Sequence, residues 1–319
     1  MALPAQPSKN KNWPNFDRVI IWGHSPHSHT HAYIHAAFYK AFQYLGYETH
    51  WVNDNSSVAD IPLKNSLFIT VGGHDRKIPI RTDCLYMLHN CDNPKYKTLR
   101  SHHKCITFQV YTHDALSRDV KQLHDCPYIL YDLHDTTLYM PWATDLLPHE
   151  IDAIKAQLPS INKNNAACFI GTIWPGHQGN QEEIRSFERA CNNAQIPFCS
   201  KGGFGSGIAD QTHQDAIMHA NLAPAIQGKW QCEHGYIPCR IFKNISYGQM
   251  GITNNETVYK LFDKKIIYNP DAYQLLFDSL ESQISQEQMR DLMDFVRDNH
   301  TYLNRIDDML RFFKMVQNS

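Results

Sequence analysis

Two phosphate-binding fingerprints are missing from the sequence: neither GxGxxG nor GxxxxGK[ST] occurs anywhere. Their absence argues against an ordinary dinucleotide dehydrogenase and against a P-loop NTPase, both of which need those glycine turns to bring backbone N–H groups onto a phosphate. No Cys-x-x-Cys pair occurs either. The nine cysteines (84, 91, 105, 126, 168, 191, 199, 232 and 239) are scattered and odd in number, which speaks against a disulfide scaffold or a structural zinc site and for a reducing, cytoplasmic setting. No apolar run approaches the roughly 20 residues that span a bilayer, so no transmembrane segment is expected. An excess of one charge is also lacking: 30 Lys and Arg stand against 32 Asp and Glu, a net charge of −2. Such a chain has no global field to gather nucleic acid. What it does have is enough apolar and aromatic residues, 42% and 12%, to build a core, and 19 histidines.

Residues 1–16 are polar, carry Pro4, Pro7 and Pro14, and read as a flexible arm rather than a signal peptide. Beyond them short apolar runs alternate with helical stripes. Arg18–Trp22 is a buried-strand run. Ile34, Ala37, Phe38, Ala41, Phe42 and Leu45 step by three and four toward Gly46, a C′ glycine, and Tyr47–Val52 reads as the next strand. Further runs at Leu67–Val71, Cys84–Leu88, Ile106–Tyr111 and Tyr128–Tyr131, with a helix over Asp114–Leu123, predict a doubly wound α/β domain over 17–145. Met140–Pro148, with two prolines, reads as a connection. The alternation restarts over 146–285: strands at Cys168–Gly171, Pro197–Ser200, Leu222–Ile226, Ile252–Thr253 and Lys265–Tyr268, and helices at Gln181–Ala194, Gln214–His219, Arg240–Tyr247 and Thr257–Phe262. Over 286–319, Met289, Leu292, Val296, Asn299, Leu303, Ile306, Leu310 and Phe313 step 3-4-3-4-3-4-3 and predict one long helix. It is read as packing across the two lobes, with a coiled-coil seam as the alternative.

Ligands of parallel sheets bind beyond the carboxyl ends of the strands. After the first five strands come Gly23-His24-Ser25, Asn53-Asp54, Gly72-Gly73-His74-Asp75, His89-Asn90-Cys91-Asp92 and Thr112-His113-Asp114. Any one of these histidines alone reads as a loop residue. Four at strand ends suggest a crevice with general bases, and His24, His89 and Asp92 are the catalytic candidates. His27, His29 and His31 form an HxHxH cluster that a metal-dependent hydrolase would use. A histidine-rich barrel hydrolase would need eight continuous strand–helix units, so the expectation is no metal. In the second domain, Gly171-Thr172 and Lys201-Gly202-Gly203 are candidate loops for a ligand. A helix beginning near Pro238 carries Arg240 and Lys243 in its first turns, where cations are normally disfavoured, and that placement suggests a diphosphate. Asn254, Asn255 and Thr257 read either as ligand contacts or as a plain helix cap.

The strings FIGTIWPG, APAIQG, GYIPCRIFKNISYGQMGITNN and VYKLF, over about residues 168–268, resemble the nucleotide-sugar half of bacterial and viral GT-B glycosyltransferases. The resemblance implies two Rossmann-like domains facing a central cleft, with the acceptor in the first and a nucleotide-diphosphate sugar in the second. It implies a metal-independent hexosyl- or deoxyhexosyltransferase of glycan biosynthesis, with a glycan or other hydroxyl acceptor and no obligatory cofactor. The absence of any Asp-x-Asp triplet fits, since that metal-binding signature belongs to the other major glycosyltransferase fold. Carried onto this sequence, Gly171 and Thr172 match the loop facing the diphosphate, Arg240 and Lys243 the cationic contacts, and Asn254, Asn255 and Thr257 the following loop. The Glu-x7-Glu pair of many members is not found. A GT-B-shaped epimerase, or the His27/His29/His31 hydrolase, are the alternatives.

Overall fold

The computed structural model describes residues 10, 12–26, 28–71, 75–91, 93–111, 120–124, 126–202, 210–282 and 284–319. The chain divides into two compact units, one of residues 1–140 and 302–319 and one of residues 141–301.

The first unit is built on a sheet of β1 (Arg18–Trp22), β2 (Glu48–Val52), β3 (Ser66–Val71), β4 (Leu85–His89), β5 (Cys105–Gln109), β6 (Lys121–Gln122), β7 (Leu130–Asp132) and β8 (Thr137–Tyr139). Their order is β2-β1-β3-β4-β5-β8-β7-β6. From β2 to β8 the strands are parallel, whereas β7 and β6 run antiparallel at the far edge. Val19, Ile20, Leu67, Phe68 and Tyr86 are fully buried, as expected of parallel strands covered on both faces. Helix α1 (Thr30–Tyr44) crosses from β1 to β2, and α2 (Lys97–Ser101) precedes β5. Helix α1 buries Ala37, Phe38, Ala41 and Phe42 and ends at Gly46 with φ +80°, the left-handed turn that glycine supplies without strain. The expected helix at Asp114–Leu123 lies mostly outside the described residues.

The expected flexible arm is corrected over its described part. Asn10 and Trp13 donate side-chain hydrogen bonds to Asp307 at 3.2 and 2.8 Å. Phe16 is buried and stacks on Tyr47 with ring centroids 4.7 Å apart. Apolar burial and a shared carboxylate hold this stretch down.

The second unit holds α3 (Pro148–Gln157), β9 (Ala167–Ile170), α4 (Gln181–Asn193), β10 (Phe198–Lys201), α5 (Asp210–His219), α6 (Lys229–Glu233), α7 (Cys239–Ser246), β11 (Ile252–Thr253), α8 (Glu256–Leu261), β12 (Ile267–Tyr268), α9 (Ala272–Glu281) and α10 (Gln286–Asn299). Strand β9 pairs with β10, and β11 pairs with β12, both in parallel. The stretch expected to be a strand at Leu222–Ile226 makes only isolated parallel bridges, Leu222 to Ala167 and Ala225 to Thr253. Pro224 has no N–H to give the ladder, so pairing is interrupted between those bridges. It still joins the two pairs, giving the order β10, β9, 222–226, β11, β12. Phe169, Ile184, Phe187, Leu222, Ile226, Ile252 and Leu275 form its core. Helix α4 packs on α9.

The single long C-terminal helix is also corrected. It is two helices, α10 and then α11 (Tyr302–Asn318), separated by His300 and Thr301. Asn299, the one polar member of the stripe, is exposed and ends α10, while His300 is buried with its ring 4.4 Å from that of Phe242. The stripe therefore serves two units: α10 belongs to the second, and α11 to the first. In α11 Ile306, Met309, Leu310, Phe312 and Phe313 are fully buried, and Tyr302 packs edge-on against Phe38 of α1 at 4.7 Å.

Candidate functional site

In a sheet ordered 2-1-3-4-5, the crevice opens between the first and third strands, where the connections depart to opposite faces. In the second unit those are β9 and the 222–226 segment. Arg240, in the first turn of α7, sits across this point. Its Nε donates to the carbonyl of Ile170, the last residue of β9, at 2.7 Å, and its Nη1 to the carbonyl of Ile226 at 3.5 Å. The guanidinium carbon lies 4.1 Å from the centroid of the buried Phe169 ring. Among the described residues no carboxylate pairs with it. Burial pulls its pKa below the ordinary value, which is the direction for a charge surrounded by carbonyls and a ring instead of an anion.

Gly171 lets the guanidinium come this close. Its φ is +149°, and a Cβ there would stand 1.9 Å from Nη2 of Arg240. Lys201 and Gly202 close the other side: the Lys201 carbonyl accepts the Gly171 N–H at 2.9 Å, and a Cβ on Gly202 would meet the Gly171 nitrogen at 3.0 Å. The hydroxyl of Thr172 is shielded from solvent and has no hydrogen-bond partner among the described residues. Helix α7 starts at Pro238 without a side-chain cap, so its first-turn N–H groups keep their positive end open. Gly171, Thr172, Lys201 and Arg240 are thus brought together.

The other expected contacts are placed differently. Lys243 lies one turn further along α7, 3.6 Å from Asp145, whose carboxylate also accepts from the Tyr247 hydroxyl at 2.7 Å. Asn254 is buried with its amide closed on the backbone of Gln227, accepting from N and donating to O. Asn255 caps α8 through the Thr257 N–H at 2.8 Å and donates to the Gln227 side chain and the Tyr236 carbonyl. Here the cap reading holds: the pair forms an internal bracket beneath the strand ends. The residues missed from sequence are Phe169 and the carbonyls of Ile170 and Ile226. Backbone acceptors leave no trace in residue type, and Phe169 looks like any core residue of a strand.

In the first unit the switch point lies between β1 and β3. There His24, His29, His31, His35 and His89 converge. The rings of His24 and His29 stack at 4.0 Å, those of His29 and His31 lie 5.0 Å apart, and His31 and His89 5.2 Å apart. His29 is the N-cap of α1, its Nδ1 accepting from the His31 N–H at 3.1 Å. His35 is buried beneath Gly23, where an added Cβ would fall 2.0 Å from its ring. Burial first, then the nearby His31 and His24, push its pKa down to about 3. His89 is also buried, against Phe108 at 5.2 Å, and burial holds its pKa well below the histidine range. Asp54 accepts from the Trp22 indole and from the backbone of Arg76 and Lys77, so it staples the loop. His27, His74, Asp92, His113 and Asp114 lie outside the described residues.

No protein-family model matches the chain, and no curated protein matches it. Solved structures do match. An α1,3-fucosyltransferase is 11% identical with a TM-score of 0.49, over 99% of this chain and 93% of that one. An α-glucosyltransferase in complex with UDP and a 13-mer DNA is 9% identical with a TM-score of 0.47, over 93% and 95%. The N-terminal domain of trehalose-6-phosphate phosphatase from Candida albicans is 8% identical with a TM-score of 0.50, over 96% and 98%. At that identity this last likeness is one of fold, and the fold is a mixed α/β one of two doubly wound units.

Proposed function

We propose that this chain is a glycosyltransferase that takes a nucleotide-diphosphate sugar as donor and a hydroxyl group, on a glycan or related molecule, as acceptor. The observation that carries the reading is Arg240: a cation fixed by two strand-end carbonyls and a ring at the switch point, with no acidic partner among the described residues. A group so held is an anion receptor, and the glycine beside it, the open helix start and the Thr172 hydroxyl suit phosphate oxygens. The resemblance of the strings over 168–268 to nucleotide-sugar enzymes supports a diphosphate as the anion. When the glycosidic bond breaks, negative charge develops on the leaving diphosphate, and Arg240 with the α7 N-terminus stabilises it there. A cation already built into the protein does what a divalent metal would do elsewhere, so transfer is metal-independent at this site.

The test is thermal stability of the protein against UDP, GDP, CMP, ADP, dTDP and their sugars, with EDTA present. A ligand at 100 times its dissociation constant stabilises the folded state by about 2.7 kcal/mol. One nucleotide family raising the melting temperature supports the reading and names the donor. A flat panel overturns it.

A further inference from the structure

We propose that the first unit carries a separate binding site for a divalent transition metal of the zinc class, with His24, His29 and His31 as its ligands. Each offers a ring nitrogen, and the three ligand atoms lie within 4.8 Å of one another. The Nδ1 atoms of His29 and His31 are 3.2 Å apart. Two nitrogens on a tetrahedral zinc at about 2.0–2.1 Å stand roughly 3.3–3.4 Å apart, so this hydrogen-bonded pair already has the spacing of two ligands on one ion. A bound ion takes the His29 Nδ1 lone pair from the His31 N–H that it caps in the metal-free chain. His24 closes the third corner by a turn of its ring, which is stacked on that of His29.

The backbone that presents these rings is fixed. The Trp51 indole donates to the His24 carbonyl at 3.0 Å, and the Asn53 amide donates to the Ser25 hydroxyl at 2.8 Å. His35, one turn after His31 on α1, fills the space under Gly23 and holds the loop against the helix. Such outer supports are what orient metal ligands. Three imidazoles without a carboxylate in the set favour zinc, cobalt or nickel over magnesium or calcium, whose ligands are oxygens. The cation stands near the N-terminus of α1, where the helix dipole weakly disfavours it, an effect that salt screens. Three protein ligands leave a tetrahedral ion one position for an oxygen ligand, as in open sites. This reading gives His24 the part of a ligand in place of a general base. It is independent of the nucleotide site in the second unit.

Among the described residues the other metal-like group, His124 with Asp307 and Asp308, is already engaged: His124 pairs with Asp308 at 3.1 Å, and Asp307 holds Asn10, Trp13 and Arg311. It is a structural knot.

The experiment is titration of metal-free, tag-free protein with Zn2+ by calorimetry and with Co2+ by visible absorption. Expected are one equivalent per chain and the intense absorption of four-coordinate Co2+. His24→Ala and His29→Asn should each weaken binding by at least about 100-fold, since changing a mere outer support already costs 10- to 100-fold. His29→Asn keeps a good N-cap for α1, and unchanged melting of the metal-free variant shows that its fold survives. His50→Ala, in β2 and hydrogen-bonded to Glu48, should bind as the parent does. Absence of stoichiometric binding overturns the proposal. So does uptake that both ligand variants leave unchanged, which would be adventitious binding to surface imidazoles.

Discussion

Replacing Arg240 by Gln separates the receptor from the fold. Of the five guanidinium N–H groups, one on Nε and one on Nη1 are bonded to Ile170 and Ile226, and three remain for a ligand. Two charge-assisted bonds to phosphate oxygens, at about 1.5–3 kcal/mol each before mutual overlap, amount to about 2–4 kcal/mol. That is a loss of roughly 30- to 700-fold in affinity. On the folding side, Gln replaces one carbonyl bond and loses the other along with the contact to Phe169, a cost of about 1–2 kcal/mol. A protein stable by about 5–15 kcal/mol tolerates that. The assay is calorimetric titration of the cognate nucleoside diphosphate, in EDTA, into the parent, Arg240→Gln and Arg240→Lys. The Lys variant keeps the charge but not the fork and should fall between the other two. Affinity of Arg240→Gln within threefold of the parent, in a folded protein, would refute the assignment of the anion to this guanidinium.

Other consequences are equally direct. Gly171→Ala places a methyl where Nη2 of Arg240 now lies and should abolish diphosphate binding without replacing any charged residue; binding by titration checks it, and retained affinity would mean that the guanidinium is not pinned there. Asn255→Ala removes the α8 cap and the bonds to Gln227 and Tyr236, so urea unfolding should show a loss of about 2–4 kcal/mol. Burial raises the Asp308 carboxyl to about 6, against its ordinary 3.8. The folded state therefore holds that proton where the unfolded chain releases it, and this group's contribution to stability is full below about pH 4 and lost as pH rises toward 6. Asp308→Asn should remove a fall of at most about 3 kcal/mol from that window, read as the difference between the two proteins' melting curves from pH 3.5 to 6.5; identical slopes would show that Asp308 does not titrate there.

Much of the architecture is legible in residue order because parallel strands buried on both faces must be apolar runs. Val19–Trp22 and Leu67–Ile69 could be little else, and Gly46 marks the end of α1 for the reason that only glycine turns there without strain. The second unit's third strand is harder, since Pro224 breaks the ladder inside an otherwise apolar run. The C-terminal break hides because α10 and α11 keep one register across His300 and Thr301. Asn299 alone marks it, and one polar residue in a stripe of eight is weak notice. At the site, Arg240 stands out as a cation at a helix start, where the dipole disfavours it. What holds it does not stand out, because carbonyl oxygens belong to every residue. Asn254 and Asn255 have the chemistry of ligand contacts and the geometry of a bracket, and only the partners of their amides tell the two apart. The histidines are conspicuous in number, but that His29 is a cap and His35 a buried prop depends on a loop folding back over α1.

The return of the last seventeen residues of helix to the first unit bears on the order of synthesis. A ribosome emits residues 1–140 first, yet the face of α1 that Tyr302 covers has no partner until the final helix leaves the exit tunnel. The second unit, 141–301, is contiguous and complete before that moment. Its residues can settle while the earlier portion waits with an apolar surface uncovered, the condition under which nascent chains aggregate or recruit chaperones. Translation thus runs from first to last, whereas completion runs the other way: the middle of the chain matures before its beginning does.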